Sequence, residues 1–104
     1  MLLYETTLNS MPRLYAQEDV GDPTIYAKIA TPDETWACYV AEAGKTRGDY
    51  TIFALFVSEK WGHNWAQVGL HEVEQDLKHA SLDARVVEGF TRGPSSKHTG
   101  ILRR

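Results

Sequence analysis

Eight consecutive residues, Tyr50-Thr51-Ile52-Phe53-Ala54-Leu55-Phe56-Val57, limit what this chain can fold into more than any other stretch. Successive side chains of an extended strand point to opposite faces, so a half-buried strand alternates apolar with polar residues. Here both alternating sets are apolar, Ile52, Ala54 and Phe56 against Phe53, Leu55 and Val57. The segment is therefore expected to be a central strand buried on both faces, with other parts of the chain covering the sheet. A chain of 104 residues has volume for one such core, and 42% hydrophobic against 24% charged residues is the balance of a folded domain.

The flanking segments supply the neighbours. Residues 24–30 alternate Ile25, Ala27 and Ile29 with Tyr26 and Lys28, a strand pattern. Residues 35–43 resume it after the turn Thr31-Pro32-Asp33-Glu34, with Trp36, Cys38 and Val40 on one side. The glycine-punctuated stretch Gly44-Lys45-Thr46-Arg47-Gly48-Asp49 turns into the central strand. Trp61-Gly62-His63-Asn64-Trp65 is expected to be the next turn, followed by a short strand through Val68. Leu70, Val73, Leu77 and Ala80 then recur at helical spacing, with His71, Gln75, Lys78 and His79 opposite, which predicts an amphipathic helix lying on the sheet. Residues 82–87 read as a last short strand, and residues 7–11 as a helical turn stopped by Pro12. The expected architecture is α+β, an antiparallel meander of four to five strands covered by one or two helices. It occupies residues 1–88, and residues 89–104, rich in Gly, Ser, Thr and basic residues, are expected to form a flexible tail.

No uninterrupted apolar run is longer than the six residues of 52–57, far below the roughly 20 residues that cross a bilayer as a helix. The start lacks the basic and apolar regions of a signal peptide, and Cys38 is the single cysteine, so a cytoplasmic setting without disulfides is expected. Charge is uneven. Residues 1–84 hold six Lys/Arg against thirteen Asp/Glu, while residues 85–104 hold five against one. A basic end of this kind solubilises a chain, and it also adds affinity for phosphate backbones.

The motif fragments in the chain each have an ordinary structural role as the alternative. Gly44-Lys45-Thr46 resembles the end of a phosphate-binding loop, but the required glycine five residues earlier is Tyr39, and the segment joins two strands. Arg47-Gly48-Asp49 is turn chemistry in the same hairpin. His71-Glu72 opens like a zinc-protease helix, yet the partner position is Gln75, and His79 lies two turns away, too far to share an ion. Cys38, between Trp36 and Val40, reads as a small buried apolar residue. Glu42, Asp49, Glu59 and Glu72 give no preferred acid–base pair, so no catalytic residue, metal or cofactor is assigned.

Three sets of binding candidates remain. Trp61, His63 and Trp65 either pack across strands or contact a partner, since tryptophan is enriched at binding hot spots. Lys45, Arg47, Arg85, Arg92, Lys97, Arg103 and Arg104 are the basic residues available to a nucleic acid. Tyr15, Tyr26, Trp36, Tyr39 and Glu42 offer an aromatic pocket with one carboxylate, or else belong to the core.

Several spaced features resemble a bacterial family of small domains, domain-of-unknown-function family 2958, carried largely on plasmids and other mobile elements. They are Leu14-Tyr15 after Pro12, Asp22-Pro23, Lys28, Thr31-Pro32-Asp33, Trp36, Tyr39, Glu42, the strand Phe53-Ala54-Leu55-Phe56-Val57 and the helix start Leu70-His71-Glu72-Val73-Glu74. Ala54 stands where the family has glycine. The resemblance implies a sheet-plus-helix domain of mobile-element origin and carries over no catalytic residue. The leading expectation is a non-enzymatic protein that binds another protein, such as an inhibitor of a host defence system. The alternatives are an accessory nucleic-acid-binding protein using the basic end, and a small-molecule-binding domain or small enzyme.

Overall fold

The doubly apolar segment forms β4 (Asp49–Ser58) of a computed structural model that describes residues 3–102. Ahead of it come α1 (Glu5–Ser10), β1 (Thr24–Ile25), β2 (Ala27–Ala30) and β3 (Trp36–Thr46). After it come β5 (Gly62–Gly69), α2 (Leu70–His79), β6 (Arg85–Val86), β7 (Gly93–Pro94) and α3 (Ser95–Thr99). The fold is α+β. Five antiparallel strands lie in the order β5-β4-β3-β2-β6, a four-strand meander to which β6 returns, and β1 pairs separately with β7.

Hairpin chemistry sets the central register. Thr46 pairs with Asp49 across a two-residue loop, Arg47-Gly48, whose φ values are 49° and 83°. Positive φ at both loop positions matches the turn whose twist suits a tight hairpin, and glycine takes one of them without steric cost. The fragment that mimics a phosphate loop, Gly44-Lys45-Thr46, is the end of β3 and not part of a turn, and the adhesion tripeptide spans the Arg47-Gly48 loop and the first residue of β4.

Both faces of the sheet are covered, by different means. On face one, Ile29, Cys38, Val40, Ile52 and Ala54 pack against Leu3, Leu8 and Met11 around α1 and against Leu70, Val73 and Leu77 of α2. On face two, Ala37, Tyr39, Ala41, Phe53 and Leu55 pack with Ile25 of β1 and against Leu14, Phe90 and Ile101. The second cover is thus built from the loop after α1 and from the segment whose composition suggested a flexible tail. In that segment β7 and α3 carry regular structure. Asp22 accepts hydrogen bonds from Ser96 N (2.9 Å) and Ser96 Oγ (2.5 Å), and Ser95 Oγ donates to the carbonyl of Ile101 (2.6 Å). Phe90 and Ile101 are the apolar anchors that a composition rich in Gly, Ser and Lys obscures.

A bulge in β3 sorts the side chains between the two layers. Val40 pairs with Ala54 but Glu42 pairs with Phe53, leaving Ala41 as an extra residue. Strict alternation would turn Glu42 toward the same side as Cys38 and Val40, into the apolar layer under the helices. The bulge instead places it on the Phe53 side, where it is 1% exposed and accepts backbone N–H bonds from Tyr15 (2.8 Å) and Gln17 (2.7 Å). Gln17 continues the network, its Nε2 donating to the carbonyls of Ala41 and Thr24 and its Oε1 accepting from Thr24 N.

Candidate binding groove

Helix α2 has ten residues, so it runs about 15 Å and covers only part of the β3-β4-β5 surface beneath it. Beyond its packed stripe the sheet continues, and a groove of about 930 Å³ opens between α2 and face one. Trp36, Phe56, Ala66 and Val68 form its floor, and Val73, Leu77, Ala80 and Leu82 form the helix wall. Leu82 is folded back over the helix end by a hydrogen bond from its N–H to the carbonyl of Leu77 (2.9 Å), after Ser81 adopts a positive φ of 56°.

The far end of the groove is aromatic because strand register brings two distant tryptophans together. Trp36 pairs with Ser58 at the last position of the β3–β4 ladder, and Ser58 Oγ accepts a hydrogen bond from Trp61 N (2.8 Å). Trp36 and Phe56 meet with ring centroids 6.1 Å apart and planes tilted by 60°. Trp61 remains 65% exposed, with Lys60 Nζ 5.0 Å from its ring centroid. A smaller recess of about 230 Å³ adjoins at this end, between Trp36, Phe56, Trp61 and Asn64.

The rim is mainly acidic. Glu59, Glu72 and Asp76 border the groove, against Lys60 and His79. Glu72 and Asp76 are four residues apart on α2 and so fall on one side of the helix. Chemically the site offers apolar and aromatic contact area inside a negative border, the arrangement that grips an apolar side chain and attracts cationic ones around it. Among the described residues, no three His, Cys, Asp or Glu side chains come together as a metal ion would require.

The structure divides each candidate set read from the sequence. Residues 61–65 are not a turn as a whole. The turn ends at Gly62, where φ is 76°, and His63, Asn64 and Trp65 already belong to β5. The positive-φ turn at Gly62 therefore separates the trio, leaving Trp61 on the groove while His63 and Trp65, two residues apart in β5, share the side of face two. There Trp65 stacks on Phe53 (5.2 Å, planes within 10°), and its indole N–H donates to the carbonyl of Leu102 (3.1 Å). His63 is exposed on the Trp65 side of the strand.

The five pocket candidates line no common cavity. Trp36 reaches the groove and Tyr39 is buried on face two. Tyr15 is 60% exposed, Tyr26 lies under the Arg92 guanidinium, and Glu42 holds the loop above the bulge. The basic candidates are dispersed as well. Lys45 and Arg47 sit at the β3–β4 turn, whereas Arg85 pairs with Ala30 and, through it, lies level with Ala37 near the start of β3. Those two places are roughly 25 Å apart along the strands. Arg92 covers Tyr26, Lys97 is exposed on α3, and Arg103 and Arg104 lie outside the described residues. Cys38 is fully buried, and burial pushes its thiol well above the ordinary value, as suits an apolar core position.

Most of the groove has no signature in the sequence. Phe56, Val68 and Leu77 have the pattern of core residues, and only the lengths of α2 and the strands beneath it decide that part of this surface stays open. No protein-family model matches the chain, and no curated protein or solved structure matches it.

Proposed function

We propose that the chain is a non-enzymatic binding domain that takes a segment of another protein into the groove between α2 and the sheet. The supporting observation is the combination of an apolar, aromatic-ended floor with a rim of Glu59, Glu72 and Asp76. That chemistry fits a segment that inserts a large apolar side chain beside Trp36 and Trp61 and carries Lys or Arg on either side. Exposed tryptophan at the end of an apolar groove has the character of a binding hot spot. The dispersal of the basic residues favours this reading over nucleic-acid binding. Together with the resemblance to family 2958, it suggests a mobile-element protein that restrains a host protein by occupying one of its basic segments.

Selection of displayed random peptides on the immobilised chain tests the proposal. Enriched sequences are expected to combine an aromatic or leucine anchor with two or more basic residues. Their affinity should fall about tenfold or more in Trp61→Ala and in Ala66→Glu, which places a charge on the groove floor. Absence of enrichment, or peptides that bind both variants as well as the original chain, would overturn it.

A further inference from the structure

The five-stranded sheet ends on two very different strands. At one edge lies β6, two residues long, carrying the exposed Arg85 paired with Asp83. Shortness and charge are common means of keeping a sheet edge from pairing with another chain. At the other edge lies β5, eight residues matched to β4 without interruption from Gly62 opposite Ser58 to Gly69 opposite Thr51. This strand contains no Lys, Arg, Asp or Glu, no proline and no bulge. Alternate residues of an edge strand turn their N–H and C=O groups outward. Among the described residues no group hydrogen-bonds to that outer row. The contacts of β5 beyond β4 come from side chains, Trp65 to the carbonyl of Leu102 and Gln67 to the Tyr15 hydroxyl.

We propose that β5 is a self-association edge, at which two copies of this chain pair their β5 strands antiparallel about a two-fold axis and join their sheets into one. The charges flanking the strand select a second copy as the occupant. Lys60 precedes β5 and Glu72 follows it, and both are exposed. Antiparallel pairing lays the start of one strand beside the end of the other, so each Lys60 comes beside Glu72 of the second copy, and the match occurs twice. A foreign strand of uniform charge would suit only one end. On face two, exposed His63 and Gln67 and half-buried Trp65 share one side of the strand and meet the same side chains of the second copy, where aromatic cross-strand contacts add to the pairing. The inference concerns the edge of the sheet and, although Lys60 and Glu72 also border the groove, does not depend on what the groove binds.

Sedimentation equilibrium on the full chain, with circular dichroism to confirm folding, tests it. The chain is expected to form a dimer whose dissociation constant rises at least tenfold in Gln67→Lys, which sets a lysine against the Trp65 position of the second copy and diagonal to its own counterpart across the new seam. Lys60→Glu and Glu72→Lys should each weaken the dimer by roughly fivefold. An equimolar mixture of those two variants should regain the original affinity, because each then meets an opposite charge at both ends. A chain that stays monomeric at about 1 mM overturns the proposal. So does a dimer indifferent to Gln67→Lys, and a dimer in which the charge-reversed pair shows no recovery on mixing overturns the antiparallel arrangement.

Discussion

Glu42 illustrates how little a residue's identity says before its backbone setting is known. Its carboxylate, buried to 1% exposure, is held by the amides of Tyr15 and Gln17, and it fixes the loop that helps cover face two. Charge-assisted bonds of this kind contribute more than neutral ones, and a buried N–H left facing an amide NH2 adds its own desolvation cost. Glu42→Gln is therefore expected to lower stability by about 2 kcal/mol, read as a lower urea midpoint at unchanged slope. The sequence marks Glu42 only as a carboxylate among aromatics. The bulge at Ala41 that turns it away from the helices has no local signature. Asp22 acts at the same scale, since the Ser96 hydroxyl and amide hold its carboxyl below the ordinary value of 3.8. A depressed folded-state value contributes stability above the unfolded value and loses it as pH falls through the folded one. Below pH 3.8 the contact between Asp22 and α3 should weaken progressively, followed by the Ser96 amide resonance. In Asp22→Asn that titration should vanish.

Among the elements, those with a strong internal period were legible and those held by distant contacts were not. α2 declared itself through Leu70, Val73 and Leu77, all of which are buried. β3 and β4 followed from alternation and from the Arg47-Gly48 turn. β5 is longer than its sequence suggests because Gly62 and Asn64 look like loop residues, although Asn64 is simply an edge-strand position opposite Phe56. The segment after residue 88 was the largest departure, since its cover over face two depends on Phe90 and Ile101 finding partners on strands far back in the chain. Phe90→Ala should cost about 2 kcal/mol by removing a half-buried ring. Loosening of that cover should also shift Trp65 emission to the red before the rest of the fold melts.

For the whole molecule, the doubly apolar β4 already demanded two covers, and the structure supplies one of helix and one of loops and short strands. The first was readable because a helix announces itself by period; the second follows no period at all. The groove belongs to this same scale. Trp36 and Trp61 stand out in the sequence as members of separate sets, and only the pairing of Trp36 with Ser58 makes them neighbours. The contact between Asp22 and Ser96 spans 74 positions, and β1 waits for β7 across a similar distance. Closing such long loops is entropically late, whereas the meander hairpins assemble from nearby residues. The barrier to folding is then expected to be crossed with face two still bare. Phe90→Ala should leave the refolding limb of the chevron almost unmoved and should instead accelerate unfolding.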